Sequence, residues 1–193
     1  MRERLGREYF DELYARSRDP WGFETSEYER DKYERTLNVL ALRQRSYRRA
    51  LEVGCSIGVF TAMLAPLCDE LLAVDVSEKA IAVARQRLAD FPNVRVELRT
   101  LPEETPQGPF DLVVASEVLY YWPEDVMLSA LRHFEDVLAP GGALLAVHWR
   151  KETKTYPLQG DEVHDLLFEH TRLANTTTII EAEYRLDLFE DKP

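Results

Sequence analysis

The chain has 193 residues, of which 45% are hydrophobic and 31% are charged, and its formal net charge is −11. This length suffices for one domain with its own core, and so acidic a surface disfavours nucleic acid as a substrate. No apolar run is long enough to span a membrane, charged residues rather than a signal peptide follow Met1, and two cysteines form no disulfide framework. We therefore expect a cytoplasmic protein in a reducing compartment, with neither membrane nor nucleic acid among its partners.

Two helices are predicted before the first strand. Residues 1–15 show an apolar stripe with helical spacing. Ser26, followed three residues later by Glu29, is a typical helix N-cap, and the second helix is expected to run to about Tyr47. Because these helices are additional to a minimal α/β sheet, we expect residues 1–47 to cover the rim above the ends of the strands.

Apolar strands and helices alternate from residue 50 onward, which is typical of a mostly parallel sheet with helices on both faces. The predicted strands are 50–53, 70–74, 94–98, 110–115 and 143–148, and the predicted helices are 58–66, 78–90, 124–138 and 160–170. Ser77 is expected to be the N-cap of the helix at 78–90. Pro140-Gly141-Gly142 is interpreted as a tight turn that leads into the fifth strand. Two further β-rich runs, 172–181 and 183–189, are too close for a crossover and should pair antiparallel. The pattern predicts a doubly wound α/β fold with a seven-stranded, mostly parallel sheet.

The first strand runs into a turn with two glycines, Gly54-Cys55-Ser56-Ile57-Gly58, at the start of a helix. Such a turn lets a ligand approach the main chain closely. The second strand ends in Asp75, at the spacing where nucleotide-binding folds place an acid on the ribose hydroxyls. The dinucleotide pattern Gly-x-Gly-x-x-Gly is not met, which disfavours NAD. The structural alternative is an ordinary tight turn with a surface acid after the next strand.

Three motifs resemble those of class I S-adenosylmethionine (SAM)-dependent methyltransferases. Glu52 and the turn that follows resemble Glu-x-Gly-x-Gly-x-Gly, with Ser56 in place of one glycine; residues 110–117 resemble the fourth-strand motif, and residues 138–142 the turn before strand five. The resemblance implies a Rossmann-like fold, SAM as methyl donor and S-adenosylhomocysteine (SAH) as product. The acid that many members carry after strand three is absent, and Thr100 stands near its position.

A narrower resemblance covers most of the chain. Three segments resemble the nodulation protein S family: Asp19-Pro20-Trp21, Lys32-Tyr33-Glu34 and Glu117-Val118-Leu119-Tyr120-Tyr121. Members of that family are N-methyltransferases that act on the free amino group of a deacetylated chitooligosaccharide. The resemblance implies a small polar acceptor, an amine on a sugar or oligosaccharide. A small-molecule O-methyltransferase and a non-catalytic SAM-binding or nucleotide-binding module are the alternatives.

We expect a single methyltransferase domain over residues 1–193, with a helical lid at 1–47 and the Rossmann-like core at 50–193. In the lid, Trp21 and Tyr28 are candidates to enclose the ligand, with packing in the core as the alternative role. The resemblance implies that the cofactor is contacted by the following residues: Trp21, Glu52, Gly54, Cys55, Ser56, Gly58, Asp75, Val76, Thr100, Leu101 and Ser116.

Candidate catalytic residues follow strands four and five. Glu117 is expected to orient the amine and Tyr120 to help hold the acceptor, as could Tyr121. His148, with an unperturbed pKa of roughly 6.5, could accept a proton near pH 7. The structural alternatives are a cap or ion-pair partner for Glu117, packing for the tyrosines and a surface position for His148.

The remaining histidines, His133, His164 and His170, lie among charges on predicted helices and are interpreted as solvated. No group of His, Cys and carboxylate residues has the spacing of metal ligands. We therefore expect no metal in the reaction.

Overall fold

The computed structural model describes residues 2–191, so the predicted domain ends at Met1 and Pro193 lie outside the described residues. The helices are α1 (Arg7–Arg16), α2 (Glu27–Arg43), α3 (Val59–Leu64), α4 (Glu78–Arg87), α5 (Glu124–Asp136) and α6 (Gly160–His170). The strands are β1 (Tyr47–Val53), β2 (Cys68–Asp75), β3 (Val94–Leu98), β4 (Phe110–Ser116), β5 (Leu138–Trp149), β6 (Ala174–Ile180) and β7 (Tyr184–Glu190). They form a seven-stranded sheet in the order β3-β2-β1-β4-β5-β7-β6.

The chain divides into two compact units, and the first contains residues 6–99. In this unit β1 pairs in parallel with β2, and β2 in parallel with β3. Helices α2 and α4 begin at serine N-caps: Ser26 Oγ accepts a hydrogen bond from Glu29 N, and Ser77 Oγ accepts one from Ala80 N. Both caps satisfy backbone N–H groups that a helix start leaves unpaired, and the N-caps predicted from the sequence are therefore confirmed.

The second unit contains the chain from Thr100 onward, together with the first residues up to Leu5. Here β4 pairs in parallel with β5, β5 antiparallel with β7, and β7 antiparallel with β6. The antiparallel hairpin predicted from the closeness of the last two β-rich runs is thus confirmed. The seven-stranded, mostly parallel sheet predicted from the alternation of strands and helices is confirmed as well.

The second helix ends four residues earlier than predicted. Helix α2 stops at Arg43, and Tyr47 is the first residue of β1. The Tyr47 side chain is fully buried, and its hydroxyl donates to Leu40 O at 2.9 Å. The burial of this ring fixes Tyr47 as the start of the strand, and the helix therefore ends before it.

The predicted turn at Pro140-Gly141-Gly142 is wrong, because this segment is a bulge inside β5. Phe110 pairs with Leu138 and Leu112 with Ala143, so β5 carries extra residues at this point. Gly141 has a φ of 73°, which only glycine adopts at low cost. The bulge is bound to the residue that follows β7, because Asp191 N donates to Gly142 O at 2.9 Å.

Within residues 2–191, none of the helices has both the length and the apolar character needed to cross a membrane.

Candidate functional site

The turn after β1 has the backbone of a ligand-binding loop. Gly54, Ser56 and Gly58 all have positive φ values of 75°, 52° and 79°. A Cβ atom on Gly58 would come within 2.9 Å of Leu88 Cδ1 and 3.3 Å of Ala84 Cβ, so the close approach of α4 adds to the preference for glycine there. The amides of Gly54 and Cys55 both donate to Val74 O, at 2.8 and 2.9 Å. The turn is therefore fixed by the end of β2 before any ligand arrives.

Asp75 links two turns: the glycine turn after β1, which contains Ser56, and the turn after β2, which contains Ser77. Its Oδ2 accepts a hydrogen bond from Ser56 N at 2.8 Å, and its Oδ1 accepts one from Ser77 N at 2.9 Å. Burial raises the pKa of Asp75, although these N–H groups act in the opposite direction. A carboxylate has about four acceptor positions, so each oxygen can still accept a hydroxyl. The two oxygens thus suit a ribose diol as well as the two amides.

Glu52 is a buried carboxyl group just before the turn. It is 3% exposed, and its Oε2 has no hydrogen-bond partner within residues 2–191. Burial raises its pKa to about 7, the charge of Asp75 adds to the effect, and the nearby Thr61 hydroxyl partly offsets it. An unpartnered buried carboxyl oxygen at this place fits a cationic ligand group such as the ammonium of a methionine moiety.

This burial makes the free energy of unfolding pH-dependent. The ordinary pKa of Glu52 is 4.5 and the folded value is about 7, so between these pH values only the folded state keeps the proton. Stability should therefore fall as pH rises through that window, by up to about 3 kcal/mol, and stay constant above it. We expect Glu52→Gln to be more stable than the parent at pH 8 but not at pH 4.5, measured by urea unfolding.

The control for this prediction is Glu34→Gln, since Glu34 is exposed on α2. It should show no such pH-dependent gain. Equal pH profiles for the parent and Glu52→Gln would contradict a buried, protonated Glu52.

Helix α1 contacts both turns through polar side chains. The hydroxyl groups of Tyr14 and Ser56 are 2.5 Å apart, and Ser77 Oγ donates to Asp11 Oδ1 at 2.5 Å. Trp21 packs edge-to-face against Tyr14, with 5.7 Å between the ring centroids. Neither Asp11 nor Tyr14 was singled out in the sequence, because nothing in a helical stripe marks which polar residues will reach a distant turn.

The other predicted cofactor contacts lie as follows. Cys55 is 3% exposed, and burial raises the pKa of its thiol well above the usual value, so it remains a neutral thiol. Val76 is partly exposed directly after Asp75. In the second unit, Thr100 N donates to Glu104 Oε2 at 2.5 Å and Leu101 is buried. Ser116 ends β4 and is partly exposed.

The segment after β4 carries Glu117 in a left-handed conformation with a φ of 55°. Its Oε2 accepts hydrogen bonds from Trp149 N at 3.0 Å and from the Tyr120 hydroxyl. Burial raises the pKa values of Tyr120 and Tyr121 well above the usual range, so both stay neutral phenols. Tyr120 thus donates to the Glu117 carboxylate and helps to fix it.

An aromatic cluster surrounds Tyr120. Its ring stacks on Tyr156 at a centroid distance of 5.0 Å and meets Tyr121 edge-to-face at 4.7 Å. Tyr156 is partly exposed, and it lies in an irregular segment between β5 and α6. Tyr156 could not be predicted from the sequence, because an isolated aromatic residue in a polar segment shows no periodic pattern.

His148 fits neither its predicted role as a proton acceptor nor the alternative of a surface position. It is fully buried, its Nε2 accepts a hydrogen bond from Leu119 N at 3.2 Å, and its Nδ1 lies 3.1 Å from Nε2 of His164. Both ring nitrogens are thus engaged within the protein. The geometry argues against His148 as the group that takes the proton of an acceptor.

The interpretation of His164 as solvated is wrong. It is fully buried, and its Nδ1 lies 2.6 Å from Oδ2 of Asp187, which is fully buried as well. Burial lowers the pKa of His164, although Asp187 acts against this effect. The sequence does contain one signal of this burial. Residues 160, 163, 164 and 167 have the spacing of a single helix face, and all four are buried in α6. His133 and His170 are exposed, as expected.

Nowhere between residues 2 and 191 do three or more His, Cys, Asp or Glu side chains gather in a way that could hold a metal ion.

Comparison with known proteins identifies relatives over most of the chain. The model of the family "Nodulation protein S (NodS)" matches residues 9–156. Nodulation protein S of Sinorhizobium fredii is 37% identical over 129 residues, or 66% of this chain, and that of Bradyrhizobium diazoefficiens is 38% identical over 128 residues, or 66%. These alignments span only 59% and 61% of the two relatives' own lengths.

Among solved structures, the N-methyltransferase NodS of Bradyrhizobium japonicum, in complex with SAH, is similar over nearly the whole chain. Its TM-score is 0.86 at 26% identity, covering 97% of this chain and 98% of that one. The class I methyltransferase fold expected from the glycine turn is therefore confirmed. The chain belongs to the nodulation protein S (NodS) family.

Proposed function

We propose that this protein is a SAM-dependent methyltransferase that methylates an amine of a small polar molecule, such as a sugar or oligosaccharide. The observation that carries the proposal is the glycine turn after β1 together with its two flanking carboxyl groups. Asp75 at the end of β2 and the unpartnered Glu52 oxygen in β1 offer the acceptors that a cationic nucleoside needs. The family's SAH-bound member supports the choice of nucleoside. The reaction would release SAH.

The cofactor's sulfonium supplies an already activated methyl group. Asp75 would hold the ribose hydroxyls, Glu52 would balance positive charge once it has given up its proton, and the glycine turn would admit the methionine end close to the backbone. The contacts proposed for Trp21 and Cys55, and those for Val76, Thr100, Leu101 and Ser116, remain predictions. The chain's contribution to rate is chiefly to position the acceptor, which can lower a barrier by roughly 7–11 kcal/mol.

On the acceptor side, Glu117 orients the amine and Tyr120 fixes Glu117. An amine reacts once it has lost its own proton, whereas a hydroxyl needs a base in the protein. His148 is engaged at both nitrogens, and Tyr120 and Tyr121 are held neutral by their raised pKa values. The segment therefore favours N-methylation over O-methylation. The rate should rise with pH while the amine deprotonates and level off afterwards.

The lid remains a proposal, supported by the contacts of α1 with both turns. We expect SAH to slow hydrogen exchange across residues 15–35, including Trp21, because the ligand would hold the lid against the turn. The measurement is hydrogen–deuterium exchange with and without SAH. Protection confined to residues 54–60 and Asp75 would show that the N-terminal helices only pack.

The function is tested by incubating the protein with SAM and a panel of amino sugars, oligosaccharides and phenols while measuring SAH release. Turnover of an amine supports the proposal. Turnover of phenols alone would favour an O-methyltransferase, and SAM binding without any turnover would favour a non-catalytic module. Calorimetry with NAD in place of SAM should show no binding. A cytoplasmic location and the lack of nucleic-acid and membrane partners remain predictions from composition.

A further inference from the structure

We propose that His164 and Asp187 are positioning residues, which act through His148 on the segment 117–121. The proposal rests on the proposed function, because it gives that segment the task of holding the acceptor. Its physical basis is a continuous hydrogen-bonded chain from Leu119 N through His148 and His164 to Asp187. All three side chains are fully buried.

The direction of every proton in this chain follows from its first donor. A backbone N–H can only donate, so Nε2 of His148 must be unprotonated to accept from Leu119. A neutral imidazole then carries its proton on Nδ1, which donates to Nε2 of His164. His164 in turn carries its proton on Nδ1 and donates to Asp187 Oδ2. Both histidines are therefore neutral Nδ1–H tautomers.

A charged His164 does not fit this geometry. It would donate at both nitrogens, and His148 would then have to carry its proton on Nε2, directly against the N–H of Leu119. The burial of His164, which lowers its pKa, acts in the same direction. The chain thus has one proton arrangement that satisfies every group.

Asp187 anchors the end of the hydrogen-bonded chain that lies farthest from Leu119. Its Oδ2 also accepts from Arg185 Nε at 2.8 Å, and its Oδ1 accepts from the Thr178 hydroxyl. Although burial acts to raise it, the pKa of Asp187 is held below its usual range by the hydrogen bonds from His164 and Thr178. The aspartate is thus a fixed anion. Such a buried polar chain is costly compared with apolar packing, which suggests that it serves a purpose besides stability.

The hydrogen-bonded chain acts at its other end, at Leu119. Leu119 opens a short 3-10 turn, Leu119–Tyr121, which carries the tyrosine that donates to Glu117. Glu117 has a strained left-handed backbone. Two hydrogen bonds hold it to β5: Glu117 N donates to Val147 O at 2.8 Å, and Glu117 Oε2 accepts from Trp149 N. The bond from Leu119 to His148 is a third tie to the same strand. Without it, the 3-10 turn is held less firmly and can move Tyr120 away from the Glu117 carboxylate, and a displacement of about 1 Å can cost roughly a hundredfold in rate.

The first test needs no activity. In the uniformly 15N-labelled protein, the ring nitrogens of His148 and His164 should give NMR signals of neutral Nδ1–H tautomers at pH 7. The signals are assigned with His148→Gln and His164→Phe, and the exposed His133 and His170 serve as references for rings in contact with water. A proton on Nε2 of His148, or a charge on either ring, would overturn the proposal even if the protein is a methyltransferase.

The second test separates positioning from proton transfer. In His148→Gln the amide oxygen can replace Nε2 as acceptor for Leu119 N, whereas His148→Phe keeps a ring of similar size without an acceptor. We expect His148→Phe and His164→Phe to lower kcat roughly ten- to a hundredfold at unchanged SAM affinity, and His148→Gln to recover most of that loss.

Equal inactivity of His148→Gln and His148→Phe would show that His148 transfers a proton, and full activity of both would show that the chain only packs; either result overturns the proposal. His170→Gln is the matched control at an exposed position. If no acceptor turns over with the parent protein, the proposed function fails, and the NMR result still decides the proton arrangement on its own. A variant that does not fold, as seen by circular dichroism, leaves the decision to the NMR measurement.

Discussion

Replacing Glu117 with glutamine is expected to lower kcat/KM for an amine acceptor by about a hundredfold or more while leaving SAM affinity unchanged. The amide oxygen of glutamine can take the place of Oε2, so the hydrogen bonds from Trp149 N and the Tyr120 hydroxyl can persist. The charge is what the substitution removes. The loss should therefore report the attraction between the carboxylate and the ammonium form of the acceptor.

Glu117→Ala should lose more, because Trp149 N and Tyr120 then also lose their acceptor. Glu124→Gln, at an exposed position in the first turn of α5, is the matched control and should keep the parent rate. The measurement is SAH release at varied acceptor concentration, with SAM affinity measured separately by calorimetry. Full activity of Glu117→Gln would show that the amine is oriented by some other group.

Asp75→Ala is expected to weaken SAM binding by roughly ten- to a hundredfold, the size of one lost hydrogen bond to a charged group. We expect this effect to have two sources. The ribose hydroxyls would lose their proposed acceptor, and the amides of Ser56 and Ser77 would lose the carboxylate that holds the two turns together. Calorimetry with SAM and with SAH measures the change.

Asp69→Ala is the control for this prediction, because Asp69 lies exposed at the other end of the same strand. It should bind SAM as the parent does. Undiminished SAM binding by a folded Asp75→Ala protein would contradict the assignment of the cofactor site.

The sheet could be predicted because its information is local. Strand β3 was predicted to the residue, and the N-caps Ser26 and Ser77 mark the starts of α2 and α4. The glycine turn and Asp75 could also be found, since their spacing is a property of one strand–turn–helix unit and the strand after it. Where the pattern was ambiguous, as at Tyr47, burial of one ring decided between helix and strand.

The polar interior could not be predicted, because it depends on partners far apart in the chain. His164 and Asp187 are 23 positions apart, and His148 and Leu119 are 29 positions apart. In each pair the two residues lie on different elements, and no repeating pattern in the sequence shows that these elements pack together. A histidine among charged neighbours is typical of a solvated helix, and only the apolar face of α6 indicated otherwise. The pairing of Tyr14 with Ser56, 42 positions apart, was hidden for the same reason.

The left-handed backbone of Glu117 has a consequence for laboratory evolution. An L-residue in that region costs on the order of 1–2 kcal/mol, and glycine avoids the cost. Glu117→Gly should therefore be more stable than Glu117→Ala, although both lack the carboxylate. A library selected for heat resistance alone would be expected to drift from glutamate toward glycine at this position, whereas a library selected for methyl transfer would retain glutamate.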